Sequence, residues 1–299
     1  METKVLVIIV TYNGIKCINS CLQSVEQSHR ILDCLVVDNG SNDGTQEYIL
    51  KNFPNVTFIQ SEVNLGFGKA NNIGLKFALE HGYNYVYLLN QDAWITPNTI
   101  DKLIEVHKNY NEYGILSPIQ LQANSKVLDD NFANLVCSFQ SNKEIISDFY
   151  FGTIKRVYSV PFVMAAHWLI SSECLKTVGG FSPSFPHYGE DDNYIDRALY
   201  YGFKVGIVPE AIAIHDREDR KISKEKQMYL SYTYNLVLCS RFNITTMNKI
   251  RSLIKSTLVS SIRNRSFVPF KYMMKIIFSW NKIMENLDIS KHNETAFIK

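Results

Sequence analysis

The first hundred residues alternate between apolar, strand-like runs and amphipathic, helix-like segments. The run KVLVIIV at 4–10 is rich in β-branched residues without polar alternation, which is typical of a strand buried on both faces of a parallel sheet. The pattern predicts strands at 4–10, 34–38, 56–60 and 85–90, and helices at about 15–28, 43–52 and 67–81. Strands and helices that alternate over short connections predict an α/β fold with a doubly wound, mostly parallel sheet.

Polar residues cluster where these predicted strands end. They are Thr11, Tyr12 and Asn13 after the first strand, Asp38 after the second, Asn64 after the third, and Asn90 and Asp92 after the fourth. In open α/β sheets, ligands bind beyond the carboxyl ends of the strands. The sequence therefore predicts a ligand site along this edge of the sheet.

Charge divides the chain into two parts. The net charge of +2 hides 14 Lys/Arg against 4 Asp/Glu in residues 221–299, a local balance of +10, which leaves −8 for residues 1–220. The basic part has helical periodicity over about 222–241, 246–264 and 268–286. We therefore predict one domain at 1–220 and a basic, amphipathic helical extension at 221–299. The helical pattern of the middle segment predicts one apolar face that contains Ile250, Leu253, Ile254, Leu258, Val259 and Ile262.

Several classes of protein are disfavoured by the sequence. No stretch reaches the ~20 uncharged residues of a membrane-spanning helix, and the start of the chain lacks the cleavage site of a signal peptide. The six cysteines show no metal-ligand spacing, so a reducing, cytoplasmic setting is expected. Gly66 and Gly68 do not form a dinucleotide-binding motif, because the third glycine would fall at Asn71.

Each polar motif has a structural and a functional interpretation. Asp38 either caps the turn that follows it or accepts from a nucleobase or a ribose hydroxyl, and Asp92 either holds a metal, caps the next helix or ends a strand. Lys69 is either solvated or placed at a helix N-terminus to meet a diphosphate. His215, at the end of a later apolar strand, is either structural or a metal ligand.

The segment HYGEDDNYIDRALYYG at 187–202 brings three consecutive acids to the start of a predicted helix. Glu190, Asp191 and Asp192 either stabilise the helix dipole or take part in chemistry, and no more than two can face one site. Arg197 falls on roughly the same helix face and is expected to orient the carboxylates.

The order of these motifs resembles that of glycosyltransferase family 2, the inverting nucleotide-sugar enzymes with the GT-A fold. It is similar in particular to bacterial rhamnosyltransferase-like members that build surface polysaccharides. The resemblance spans about residues 4–216 and lies in VIIVTYNG, VVDNGSNDGT, NLGFGKANNIG, LLNQDA and GGFSPSFPHYGEDDNYIDRALYYGFKV, followed by a strand-end histidine.

The resemblance implies roles for residues that match the family pattern. The residues that would bind the nucleotide sugar are Thr11, Tyr12 and Asn13 beside the nucleotide, Asp38 at the pyrimidine, Asn64, Gly66 and Lys69 along the diphosphate, and Asn72 and Asn90 nearby. Asp92 would be the last acid of the metal motif, with Asn90 where the fuller motif has a second Asp, and His215 would complete the metal site. Asp191 would be the general base, with Glu190 beside it or against the acceptor. Asn193 stands where the family often has another acid.

The function that the resemblance implies is metal-dependent, inverting transfer from a UDP- or dTDP-sugar to a hydroxyl of a glycan or lipid-linked acceptor, with Mg²⁺ or Mn²⁺. A sugar nucleotidylyltransferase, a non-catalytic nucleotide-sugar-binding protein and a glycoside hydrolase are the alternatives. The first would need a glycine-rich, basic loop for a triphosphate near the N-terminus, which VTYNGIKC does not provide.

Two matters stay open from the sequence. The basic helices either touch an anionic membrane from the cytoplasmic side, pack on the catalytic domain or form a homodimer, and nucleic acid is not an expected partner. The acceptor pocket is expected within 115–188, where His167, Trp168 and His187 are guesses for its lining.

Overall fold

A computed structural model describes residues 3–136, 143–217 and 223–298. The strands of these residues are β1 Val5–Thr11, β2 Asp33–Asp38, β3 Thr57–Gln60, β4 Tyr85–Asn90, β5 Ala93–Ile95, β6 Tyr113–Leu121, β7 Tyr158–Ser159, β8 His167–Ser171 and β9 Lys204–His215. The helices are α1 Ile18–Glu26, α2 Thr45–Asn52, α3 Phe67–Glu80, α4 Thr99–Asn109, α5 Asp130–Val136, α6 Lys143–Phe151, α7 Ser172–Val178, α8 Glu190–Tyr200, α9 Lys224–Cys239, α10 Thr246–Asn264, α11 Val268–Phe278 and α12 Trp280–His292.

The described strands form one mixed sheet in the order β3-β2-β1-β4-β8-β6-β9-β5, with β7 paired to β9. The half formed by β3, β2, β1 and β4 is parallel throughout, as the alternation of strands and helices predicts. β8 joins this half antiparallel to β4 and also runs antiparallel to β6, whereas β6 and β9 are parallel. The prediction of a doubly wound, mostly parallel α/β sheet is confirmed.

Pairing register brings the polar strand ends together. Thr11 is opposite Asp38, and Asn90 is opposite Val10 on the other side of β1. On the far side of the sheet, β5 pairs antiparallel with β9 so that Ala93, the residue after Asp92, is opposite His215. The residues predicted from strand ends therefore lie along one edge.

Apolar side chains cover both faces of the sheet in two large clusters, one around Leu6, Ile8 and Trp168 and the other around Val7, Ile9 and Ile100. Successive residues of β1 alternate between these clusters, which explains why its sequence is apolar without interruption. The parallel half could be predicted because burial on both faces leaves no polar alternation.

The C-terminal helices differ from the predictions in two details. The helix predicted over about 268–286 is two helices, α11 and α12, which meet at Ser279. The face predicted for the middle helix is split, because Leu253 is buried whereas Ile250, Ile254, Leu258, Val259 and Ile262 are exposed. Its buried side instead carries Lys249, Thr257 and Ser260 beside Leu253.

The chain after α12 returns to the part of the molecule that contains the sheet. The N–H of Thr295 donates to Lys176 O, and the N–H of Gly180 donates to Ala296 O. Gly179 has a left-handed φ of 81°, and a Cβ there would clash with the backbone of Ala296. The segment 294–298, called the tail below, thus packs against the residues that precede α8.

Among the described residues, no helix combines the length and apolar character that a membrane crossing requires.

Candidate active site

Asp38 is a fully buried acceptor at the end of β2. Its Oδ1 accepts from Thr11 Oγ1 at 2.9 Å and from Ser41 Oγ at 2.6 Å, and its Oδ2 accepts from the N–H of Ser41 and from Gln46 Nε2, both at 3.0 Å. With four donors in place, the carboxylate ties β1 to the β2–α2 loop. A nucleobase reaches this carboxylate only if Ser41 or Gln46 moves. Thr11 is equally buried, and its hydroxyl group is the donor from β1 in this link.

Tyr12 and Asn13 lie in the loop after β1 and connect it to its neighbours. The N–H of Tyr12 donates to Gln91 Oε1 at 2.9 Å, and Gln91 Nε2 donates back to Tyr12 O at 3.2 Å. The N–H of Asn13 donates to Ser41 Oγ, while its Oδ1 accepts from the N–H of Asn42. The Tyr12 side chain is about half exposed, so its ring is free to border a ligand.

The loop that enters α3 is held from the same edge. Asn39 Nδ2 donates to Asn64 Oδ1 at 2.9 Å, which also accepts from the N–H of Gly66, and Asn39 Oδ1 accepts from the N–H of Leu65. Gly66 has φ of 81°, and a Cβ there would lie 2.6 Å from Pro186 O. Lys69 is exposed in the first turn of α3, close to the free N–H groups of that turn.

Asn72 bonds to segments of the chain other than the loop that enters α3. Its Oδ1 accepts from the N–H of Phe181 at 2.7 Å, and its Nδ2 donates to Phe181 O and to Phe297 O. Both polar atoms are therefore used to hold the chain before α8 and the tail. The structure does not bring Asn72 together with the other predicted donor residues.

The end of β4 and the end of β9 bring Asp92 and His215 into contact. Asp92 Oδ1 is 3.5 Å from His215 Nε2, and the Asp92 side chain is one-third exposed whereas His215 is buried. Burial alone would raise the pKa of Asp92, but the hydrogen bond and charge of His215, with the charge of Arg217, hold it below its ordinary value. The side-chain amide of Asn90 has no hydrogen-bond partner in the described parts of the chain.

Arg217 is a site residue that the sequence reasoning missed. Its Nε lies 3.1 Å from Oδ2 of the buried Asp129 and donates to His215 Nδ1 at 3.2 Å. The positive charge of Arg217 also opposes the effect of burial on the pKa of both Asp92 and Asp191. Its position two residues after a strand-end histidine is the signal that could have found it.

Asp92 and His215 fit a divalent cation as two ligands of a larger set. They offer one carboxylate oxygen and one imidazole nitrogen that face each other, and Mn²⁺ accepts both atom types more readily than Mg²⁺. His215 Nε2 is the nitrogen that faces Asp92, while Nδ1 accepts from Arg217. Within the ranges that the structure describes, no third His, Cys, Asp or Glu completes the group.

The three acids at the start of α8 are all harder to ionise than usual. Burial, followed by the charge of Asp191, raises the pKa of Glu190 to about 8, and burial with the charges of Asp191 and Asp196 raises that of Asp192 to about 7. Burial also raises the pKa of Asp191, against hydrogen bonds from the N–H groups of Asp192 and Ala165 and the charge of Arg217. Clustered, desolvated carboxylates of this kind are typical of acid–base sites.

Asp191 and Glu190 differ in their surroundings. Asp191 is partly exposed and accepts from the N–H of Asp192 at 3.0 Å, whereas Glu190 is buried and its Oε2 has no hydrogen-bond partner among the described residues. Gly189, the residue before α8, has φ of 85° and turns the chain so that these acids follow at once. A buried carboxyl oxygen without a partner in the described chain can bond to a hydroxyl group.

Arg197 does not orient the carboxylates, contrary to expectation. It is fully buried, donates to Val178 O and Gly180 O, and lies between the rings of Tyr194 and Phe297. Arg197 follows the acids by six or seven residues on the same helix, α8. Its side chain, however, lies on the side of α8 that faces α7 and the tail.

Two guesses for the acceptor pocket are also wrong. His167 and Trp168 are fully buried: His167 lies between Tyr87 and Ile214 O, with a pKa lowered to about 3 by burial, and Trp168 Nε1 donates to Val163 O. His187 is exposed and its ring centroid is 3.9 Å from that of Tyr188.

The polar residues that hold these loops were also missed as site residues: Asn39, Ser41, Gln46 and Gln91. The first two and Gln91 lie within three positions of a predicted site residue and bond to a second loop, whereas Gln46 lies in α2 and bonds to Asp38 and Ser41 O. Chain proximity alone could not separate them from solvated loop residues.

The profile of the family described as Glycosyl transferase family 2 matches residues 6–179, which is more than half of the chain. The chain belongs to glycosyltransferase family 2. It is a glycosyltransferase with the GT-A fold, and the resemblance inferred from the motifs, including that to rhamnosyltransferase-like members, is confirmed.

The chain is similar to two relatives in sequence and to one solved structure in fold. It is 24% identical to dTDP-rhamnosyl transferase RfbF of Shigella flexneri over 231 residues, which cover 74% of this chain and 72% of that protein. It is 26% identical to the N-acetylglucosaminyl-diphospho-decaprenol L-rhamnosyltransferase of Mycobacterium tuberculosis, over 71% of this chain and 75% of that one. Its fold is similar to that of the mannosyltransferase PcManGT from Pyrobaculum calidifontis, solved with GDP-Man and Mn²⁺, with a TM-score of 0.60, 15% identity, and 97% of this chain and 86% of that one covered.

Proposed function

We propose that the protein transfers a hexosyl group, rhamnose being the first candidate, from a UDP- or dTDP-sugar to a hydroxyl of a glycan or lipid-linked acceptor, with inversion. The observation that carries the proposal is the approach of Asp92 and His215 at one sheet edge, with Arg217 donating to His215 Nδ1. Such a site has a place for a diphosphate beside a carboxylate base. Its natural role would be in surface polysaccharide synthesis.

The donor would lie across the carboxyl ends of β1, β2 and β4. Tyr12 and Asn13 would border the nucleotide, and Asn64, Gly66 and Lys69 would line the diphosphate, since Lys69 and the N–H groups at the start of α3 favour an anion. Asp38, whose carboxylate accepts from Ser41 in the structure, would accept from the base after the Ser41 loop moves. Asn90, whose amide has no partner among the residues that the structure describes, would contact the donor beside Asp92.

Asp92 and His215 would hold a divalent cation, for which Mn²⁺ is favoured over Mg²⁺ by the imidazole nitrogen. The ion, when bound, would neutralise the charge that develops on the leaving diphosphate. Arg217, held by Asp129, would add a fixed positive charge at the same place.

Asp191 would take the proton of the acceptor hydroxyl as that oxygen attacks the anomeric carbon. Attack occurs opposite the leaving diphosphate, so one displacement inverts the anomeric configuration. A carboxylate whose pKa is raised by burial is a stronger base than an exposed one. Glu190, mostly protonated near neutral pH with a pKa of about 8, would accept or donate a hydrogen bond to the acceptor through its unpartnered oxygen.

A mycobacterial relative named for a diphospho-decaprenol substrate supports a lipid-linked acceptor, and one named for dTDP-rhamnose supports a dTDP donor. A non-catalytic nucleotide-sugar-binding protein is the competing function. It would not need the desolvated acids at α8.

The proposal is tested by incubating the protein with UDP-, dTDP- and GDP-sugars, each with Mg²⁺, with Mn²⁺ or with EDTA. We expect a metal-dependent rise in melting temperature and slow release of nucleoside diphosphate with a UDP- or dTDP-sugar. The absence of binding to every nucleotide sugar in both metals would contradict the proposal. Binding without turnover, unchanged in Asp191→Asn, would favour the non-catalytic alternative.

A further inference from the structure

The helix α10 presents an apolar stripe to solvent. Met247, Ile250, Ile254, Leu258 and Ile262 recur every three or four residues, so they lie along one side of the helix, and each is between 40% and 76% exposed. The side that packs on the protein carries mostly polar residues, and Ser256 Oγ there donates to Asn235 Oδ1 of α9. A helix in water normally has the reverse arrangement.

The neighbouring helix α11 extends this surface. It packs against α10, and both helices pack on α9. Phe267, at its start, and Phe278, at its end, are each more than 80% exposed, and Met274 and Ile277 are partly exposed between them. Exposed apolar side chains on two adjoining helices mark an interaction surface rather than scattered surface residues.

The charge of this region is of one sign. Residues 242–284 contain eight Lys/Arg and no Asp or Glu. Arg251 and Lys255 stand beside the stripe of α10, and Lys271 and Lys275 are exposed on α11. Two copies of such a surface would repel each other, whereas anionic lipid headgroups would be attracted to it.

We propose that the exposed face of α10 and α11 binds the surface of an anionic membrane, with its apolar side chains in the headgroup–acyl boundary and its lysines and arginines at the lipid phosphates. Apolar side chains flanked by basic ones are the pattern of an interfacial helix. The inference concerns the helices alone and does not depend on the proposed transfer reaction.

The test is flotation of the purified, full chain with vesicles of phosphatidylcholine alone or mixed with phosphatidylglycerol. We expect binding to the mixed vesicles only, weaker at high salt. The double variant Ile254→Ser, Leu258→Ser should lower the protein's vesicle partition coefficient about tenfold or more, because it removes apolar area that would be buried in the membrane. Lys255→Glu should lower it by a similar factor, because it removes a basic contact with the lipid. Since the substituted residues are exposed, the melting temperatures and the nucleotide-sugar binding of these variants should match those of the wild type.

Matched controls are Leu50→Ser and Lys51→Glu, which alter an exposed leucine and an exposed lysine near the end of α2. They should bind vesicles as wild type does. No flotation of the wild type with the anionic vesicles would overturn the proposal, and so would equal losses in the α2 controls. A dimer in light scattering that the α10 variants dissociate, without any vesicle binding, would identify a second copy of the chain as the occupant instead.

Discussion

Among the acids at the start of α8, Asp191 is the one whose replacement should slow the reaction. For Asp191→Asn we expect a fall in kcat of about 10²–10⁴, since the amide cannot accept the acceptor proton. The KM for the donor should change little, because the proposed donor site lies at the ends of β1, β2 and β4. Steady-state rates with saturating acceptor measure both. Asp196→Asn is the control, since Asp196 pairs with Arg241, and a wild-type rate in Asp191→Asn would remove the base from the proposal.

Asp92 and Asn90 should separate metal binding from donor binding. Asp92→Ala should abolish metal-dependent turnover, because His215 alone is a single protein ligand. Asn90→Ala should raise the KM for the donor and leave measurable kcat, since an uncharged amide is lost. Titration of each variant with Mn²⁺, followed by nucleotide-sugar thermal shift, measures the two effects. Full activity in Asp92→Ala would show that this acid only ends the strand or caps the next helix.

Glu190 should make stability depend on pH. In the unfolded chain its carboxyl ionises above about pH 4, but in the folded protein its pKa is about 8. Between these values the unfolded state releases a proton that the folded state keeps, so the free energy of unfolding falls as pH rises, by up to about 1.4 kcal/mol per pH unit. In Glu190→Gln the fall should be smaller but not absent, because the pKa values of Asp191 and Asp192 are also raised; urea denaturation at pH 5 through 9 will measure it. Glu47→Gln, on the exposed side of α2, should follow wild type, and identical slopes in all three proteins would contradict the assignment.

At the scale of elements, the α3 entry loop and the loop before α8 meet at Gly66. Its left-handed φ and the approach of Pro186 O leave no room for a side chain. Gly66→Ala should therefore raise the donor KM at least severalfold and destabilise the protein by about 1–3 kcal/mol, through backbone strain and displacement of the loop. Gly82→Ala is a control for the strain alone, because Gly82 also has positive φ but open space around it. Equal effects on KM in both variants would show that the contact with Pro186 is unimportant.

The parallel half of the sheet was predictable because a strand buried on both faces has an apolar sequence that little else explains. β1, β2, β3 and β4 begin and end within about one residue of their predicted bounds. The gathering of polar residues from the strand ends at one sheet edge followed from topology. Arg197 and Asn72 did not, because a helix interval fixes the side of the helix but not which neighbour that side meets. The second half of the sheet, where β8 enters antiparallel, depends on pairings between distant segments that local pattern does not encode.

At the scale of the whole molecule, the helical extension and the catalytic part are joined by several contacts. Arg241 pairs with Asp196 at 2.9 Å, Tyr201 donates to Ser290 O, and Asn286 donates to Ser184 Oγ. Phe185, from the loop before α8, packs in the cluster of the extension with Leu236 and Ile283. The division at residues 220 and 221 stays a prediction, and the proposed membrane surface would hold the α8 loop close to a bilayer.

The tail should contribute measurably to stability. Deletion of residues 294–299 removes the buried side chains of Ala296 and Ile298 and the ring of Phe297 from Arg197. Buried apolar area of this size corresponds to about 2–3 kcal/mol, so we expect a melting temperature lower by roughly 5 °C. Scanning calorimetry measures it, with Glu294→Ala, at an exposed residue, as the control. An unchanged melting temperature in the deletion would contradict the importance of these contacts.

The tail also sets an order of events during synthesis. Its backbone accepts hydrogen bonds from the N–H of Gly180 and, through Phe297 O, from Asn72 Nδ2. Every other segment of the described chain leaves the ribosome earlier than the tail does. These contacts with the chain before α8 therefore form last, only after translation has passed residue 298.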